Sequence, residues 1–124
     1  MNDEKQKIQE RTLSFAVRVV KLCKFLEEQS GVMRVLYKQL IRSGTSIGAN
    51  VREAQSAQSD RDFLHKLEIA LKEARETEYW LIILVQADLI KEQKIKLLQQ
   101  ECEEIIKILV VITKKIKQKI RVRS

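Results

Sequence analysis

The run Ser43-Gly44-Thr45-Ser46-Ile47-Gly48-Ala49-Asn50-Val51-Arg52-Glu53-Ala54 decides the fold. It is small and polar, yet apolar residues recur at helical spacing on both sides of it. The chain contains no proline, and nothing in the run suits a surface loop. A helix carrying Gly44 and Gly48 gives up roughly 1 kcal/mol per glycine relative to alanine. Close approach of another backbone compensates for this, and small residues four apart permit it, a spacing also known from membrane helix dimers. The segment therefore reads as a tight packing site inside a helix, with Ser43, Gly44, Ser46, Ile47, Gly48, Asn50 and Glu53 as its residues.

Four apolar seams extend outward from this site in alternating steps of four and three. The helix that holds it spans about 32–57, with Leu36, Leu40, Ser43, Ile47, Asn50, Ala54 and Ala57 in line. Its first half is bulky and its second half small, so a neighbour presses closer toward the C-terminal half. The preceding helix covers about 8–29 through Ile8, Thr12, Phe15, Val19, Leu22 and Leu26, and Ser30-Gly31 stops it. A third helix covers about 60–87, with Ser59 or Asp60 as its cap and Phe63, Leu67, Ala70, Ala74, Thr77, Leu81 and Leu84 as its seam. A fourth covers about 92–119 through Ile95, Leu98, Cys102, Ile105, Leu109, Ile112 and Ile116. Short links between four such helices give an all-α, antiparallel, up-down-up-down four-helix bundle. The third and fourth helices carry apolar residues beyond one seam: Leu64, Leu71, Ile82, Ile83 and Val85, then Ile106, Ile108, Val110 and Val111. This surplus predicts a homo-oligomer. The other reading is that a wide stripe fills a broad core.

Composition agrees. At 124 residues the chain is one domain by length, and three glycines with no proline argue against a turn-rich β fold. The net charge of +7 is concentrated: Lys114, Lys115, Lys117, Lys119, Arg121 and Arg123 fall among the last eleven residues with no acid between them, which makes 114–124 a basic arm on a nearly neutral body. Such an arm suits RNA, DNA or an acidic surface. It equally suits a solubilising helix end whose cations complement the C-terminal dipole. Cys23 and Cys102 both lie on apolar stripes and are too few for a disulfide framework, which fits structural thiols in a reducing compartment. The N-terminus has acids where a signal peptide has its apolar core. The longest charge-free runs, such as Tyr79 to Ala87, are far short of the roughly 20 residues that a membrane span needs. A soluble, cytoplasmic protein is expected.

Chemistry-bearing constellations are sparse. Bundle di-iron sites need two Glu-x-x-His pairs, whereas the single histidine gives only Asp62-x-x-His65. Gly44-x-x-x-Gly48 lacks the Lys-Ser/Thr of a phosphate loop. Ser43 and Ser46 have no histidine base nearby, which nucleophilic catalysis requires. No enzyme, metal or cofactor is expected. Asn50, on an apolar seam, either sets helix register or, with Glu53, binds a ligand. Arg42, Arg52, Arg61 and Arg75 have acids close in sequence and suit solvated surface pairs such as Lys72 with Glu76, or an ion-pair network between subunits. Tyr79 and Trp80 sit in the apolar part of the third helix and suit core or interface anchoring.

The stretch Ser43 to Asn50, then Glu53-Ala54-Gln55, Asp62-Phe63-Leu64, Ile69 to Thr77 and Tyr79-Trp80-Leu81, resembles the bacterial four-helix bundle proteins also called 23S ribosomal RNA intervening sequence proteins. The match is close from Leu36 to Leu89, and the flanking helices fit by pattern. Many members carry Ser-Ile-Pro-x-Asn-Ile-Ala-Glu-Gly, whereas this chain has Gly48 in place of the proline and Arg52 in place of the alanine, which marks a variant branch. The resemblance implies a bundle that assembles into a homopentameric barrel, with no established enzyme activity and with nucleic-acid association. It adds Phe63 and Trp80 to the packing motif. The alternative, from the apolar surplus and the lack of reactive groups, is a structural or protein-interaction module with no nucleic-acid role.

Overall fold

A computed structural model describes residues 2–29 and 31–123. Ser30, half of the expected stop signal, and Ser124, the end of the arm, lie outside the described residues. Four helices follow one another: α1 Asn2–Glu27, α2 Val32–Ala54, α3 Asp60–Gln86 and α4 Glu92–Arg123. No strand occurs among the described residues.

Local chemistry sets the boundaries. Gly31 takes φ 70° between α1 and α2, a left-handed conformation that glycine adopts without a Cβ penalty. α2 ends at Ala54, three residues before the sequence pattern does. There Gln55, Ser56 and Ala57 donate to the carbonyls three residues back at 3.0–3.1 Å, which tightens the chain into a turn. The Ser59 hydroxyl accepts from the Asp62 amide at 3.0 Å and so caps α3, while Asp60 and Asp62 place negative charge at the positive end of its dipole. Asp88, at φ 58°, turns the chain between α3 and α4, and aspartate is among the few residues that tolerate this region. α1 begins six residues before its first apolar residue, Ile8. α4 runs to Arg123, so the basic stretch forms its last turns.

Cross-helix contacts fix the topology. Cys23 with Tyr37, Val19 with Gly44 and Thr12 with Gly48 run in opposite senses along α1 and α2. Ser43 meets Thr77 between α2 and α3, and Cys102 meets Ala74 between α3 and α4. Arg11 with Glu101 and Phe25 with Lys94 close the ring between α1 and α4. Each neighbouring pair is antiparallel, as in an up-down-up-down bundle. All seven seam residues of α3 are buried, as are Ile8, Thr12, Phe15, Val19 and Leu26 of α1 and Ile95 through Ile112 of the α4 seam.

The α2 seam differs from its expected line. Val51, not Asn50, is buried; Gly44 joins the core, and Leu36, Asn50 and Ala57 are only half-buried. A straight helix has 3.6 residues per turn, so a strict seven-residue repeat drifts around it, and the step from Ile47 to Val51 restores the line.

Candidate nucleic-acid interface and packing site

The glycines of α2 are where α1 comes closest. A Cβ on Gly48 would stand 3.2 Å from the backbone oxygen of Thr12 and 3.3 Å from its carbonyl carbon. One on Gly44 would stand 2.8 Å from Val19 Cγ1 and 3.0 Å from Cγ2. The backbone approach expected at this segment is thus the α1–α2 contact. On its other side, the hydroxyls of Ser43 and Thr77 share a 2.9 Å hydrogen bond in the core, and both also reach carbonyls one turn back, Leu40 and Glu73. Two polar groups are thereby buried with partners. Thr45 and Ser46 return their hydroxyls to Ile41 O at 2.7 Å and Arg42 O at 2.6 Å. Asn50 Nδ2 donates to Ser46 O at 2.8 Å within its own helix. The position placed on the apolar seam of α2 thus lies half-buried at the edge of the bundle. Glu53 is exposed, Ile47 is fully buried and Phe63 is buried with Lys5 Nζ 4.9 Å from its ring centroid.

Trp80 is half-buried and meets Tyr79 edge-on, ring centroids 5.5 Å apart. Its indole N–H is buried with no hydrogen-bond partner among the described residues. Ile82 and Tyr79 of α3 stay exposed, as do Val111 and Leu97 of α4. Of the surplus residues, Ile106 is absorbed by the core, and Leu71, Val85, Ile108 and Val110 pack partly against it. α1 bears a further apolar line, Leu13, Val17 and Val20, each between 44% and 55% exposed. An open groove of about 750 Å³ runs beside it, lined by Leu13, Ala16, Thr45, Gly48, Ala49, Lys5 and Arg52 among others.

Long-range ion pairs replace the local ones suggested by sequence. Arg11 grips Glu101 with two bonds, Nε to Oε2 at 2.9 Å and Nη2 to Oε1 at 2.6 Å, tying α1 to α4. Arg42 reaches across from α2 to both Glu73 and Glu76 of α3. Glu76, matched by spacing to Lys72, is thus held by another helix. These hydrogen bonds raise both arginines further above their ordinary range, with Glu101 the main cause for Arg11 and Glu76 for Arg42. Sequence spacing held no signal for these pairs, because their partners are 31 to 90 residues apart. Cys23 and Cys102 donate to the Tyr37 and Ala74 carbonyls, and burial pushes their thiols up to about 11 and about 12.

The six C-terminal cations share the last turns of α4, and three reach the start of α3. Arg123 Nη1 bonds Asp60 Oδ2 at 2.6 Å, Lys119 Nζ lies 3.5 Å from Asp60 Oδ1, and Lys117 Nζ lies 3.3 Å from Glu68 Oε2. Lys114 and Arg121 are exposed, as is Lys115, which makes a contact of its own. His65 is exposed on α3, and no three His, Cys, Asp or Glu residues among those described converge on a point where a metal could sit. No helix is long and apolar enough to cross a membrane.

No curated protein matches the sequence. Among solved structures, a 1.70 Å crystal structure from Bacteroides thetaiotaomicron VPI-5482, of a protein with unknown function from the S23 ribosomal protein family, is 47% identical. It covers 90% of this chain and 98% of its own, with a TM-score of 0.82. The profile of the 23S rRNA-intervening sequence protein matches residues 4–111 and ends before Lys114. A profile match from the first turn of α1 to beyond the middle of α4, together with a close structural relative, settles the lineage: the chain belongs to the 23S rRNA-intervening sequence protein family.

Proposed function

We propose that this is a non-enzymatic helical-bundle protein that self-associates through its outer apolar faces and binds nucleic acid along the phosphate backbone. The observation that carries the second part is the placement of Lys114, Lys115, Lys117, Lys119, Arg121 and Arg123 on consecutive turns of one helix at one end of the bundle. A helix spaces such charges at a fixed 1.5 Å rise per residue, so they form a preorganised cationic surface. Binding of this kind is sequence-tolerant and dominated by counterion release. Self-association is supported by Leu13, Val17 and Val20 on α1 and by Tyr79 and Ile82 on α3, which a lone protomer leaves exposed. The five-membered barrel implied by the family resemblance would bring five such basic ends together.

Gel-shift titration of a structured RNA across a salt series tests the reading. Binding should weaken as salt rises, with a slope of about −3 to −5 if four to six cations of one subunit contact phosphates. Replacing Lys114, Lys115 and Arg121 with glutamine should flatten the slope by about 2 to 3 while leaving the circular-dichroism spectrum unchanged. Salt-insensitive binding, or no binding at low salt, overturns the nucleic-acid reading and leaves a protein-interaction module. Sedimentation at micromolar concentration tests the assembly: particles of 14.5 kDa alone refute it.

A further inference from the structure

We infer that Asp60 and Glu68 hold the basic end of α4 in a self-occupied state, so that a nucleic-acid phosphate must displace them to bind. The inference rests on the phosphate-binding reading above and adds how that site is regulated. Asp60 is the first residue of α3, and its two oxygens are contacted by two different cations, Arg123 at 2.6 Å and Lys119 at 3.5 Å. A carboxylate that accepts from a guanidinium on one oxygen and from an ammonium on the other occupies the donors that a phosphate would take. A little over two turns further along α3, Glu68 engages Lys117 at 3.3 Å. At least three of the six cations, Lys117, Lys119 and Arg123, are therefore already bonded to carboxylates of the same chain.

These pairs are built to open. Side chains of Arg123 and Lys117 are 67% and 55% exposed, and exposed ion pairs contribute little and weaken with salt. A polyanion offering several phosphates at once outcompetes a single carboxylate, whereas an isolated phosphate or a weakly acidic surface does not. The arrangement sets a threshold for binding and suppresses contact with sparsely charged partners.

The test uses the full chain and a labelled hairpin RNA followed by fluorescence anisotropy over a salt series. Asp60→Asn frees Arg123 and Lys119 and should tighten RNA binding about three- to tenfold at low salt, with a slope steeper by about 1 to 2. Glu68→Gln should give a smaller gain in the same direction. Asp62→Asn is the control. It removes the same charge two residues away, where Asp62 accepts from the Gln58 amide and touches no C-terminal cation in the bonds described. Its effect should stay under about twofold. Equal gains from Asp60→Asn and Asp62→Asn would show that net charge alone matters and would overturn the inference. So would an Asp60→Asn variant matching the wild type, while RNA binding itself stood. Binding by neither protein would overturn both readings.

Discussion

Replacing Gly44 with alanine should destabilise this protein even though alanine is the better helix former. Two effects oppose each other. Helix propensity favours the change by about 1 kcal/mol. Packing opposes it: the new Cβ would lie 2.8, 3.0 and 3.3 Å from Val19 Cγ1, Cγ2 and Cβ. Unstrained carbon contacts sit at about 3.5–4.0 Å, so the nearest methyl falls short by roughly 0.7–1.2 Å. Val19 is fully buried and β-branched, and such side chains have one strongly preferred rotamer in a helix. The methyls cannot turn aside, and α1 must move. Overpacking of this kind costs about 1–3 kcal/mol, which leaves a net loss of about 1 kcal/mol once the propensity gain is counted. In a Val19→Ala background the obstacle is gone, and the same Gly44→Ala change should become stabilising. The coupling between the two sites should therefore reach about 1–3 kcal/mol. Urea unfolding followed by circular dichroism, at one fixed protomer concentration, measures each corner of the cycle as a shift in midpoint at constant slope. Stabilisation by Gly44→Ala alone, or a coupling under about 0.5 kcal/mol, refutes the close-approach argument.

Thr77→Val should cost about 1–2 kcal/mol, because it removes the core partner of the Ser43 hydroxyl, whereas Ser43→Ala with Thr77→Val should cost less than the two single changes added together. Urea midpoints of the three variants decide this, and strict additivity would refute the shared bond. The thiols, held up at about 11 and about 12 by burial, favour the folded state in their neutral form. Their folded values lie above the ordinary thiol value of 9.0, so their contribution is intact below pH 9 and is lost as the pH climbs toward 12. Stability measured against pH should fall across that window, less steeply in Cys23→Ala/Cys102→Ala. At pH 8 a thiol reagent should modify the native protein only as fast as it opens, and both cysteines promptly in urea.

Much of the fold is legible in the sequence because burial is periodic. The α3 line from Phe63 to Leu84 needed only counting, and Ser59-x-x-Asp62 and Gly31 announce helix ends through side-chain chemistry that acts over three or four residues. α2 was harder. Its small residues give little contrast between faces, so a seven-residue repeat slid onto Asn50 where the true line takes Val51. The helix end at 2–7, which holds no apolar residue, carries no periodic mark at all. The close approach at Gly44 and Gly48 was readable as a consequence of size, but the helix that approaches was not. The site was less legible still. The C-terminal cations are plain in the sequence, yet their engagement with Asp60 and Glu68 joins residues 49 to 63 positions apart and exists only once α3 and α4 lie side by side. Arg11 with Glu101 and Arg42 with Glu73 are hidden for the same reason.

The two glycines also work as a detent. If α2 slid along α1 by one turn, about 5.4 Å, in one direction, the bulk of Arg52 would arrive where Thr12 now rests on bare backbone. In the other direction Leu40 would meet Val19, which already crowds a position lacking any side chain. Only one vertical alignment of the first two rods escapes both collisions. The antiparallel chain then hands that height on through α3 to α4, so two missing Cβ atoms far from the basic tip help determine how high it stands relative to the carboxylates it clasps.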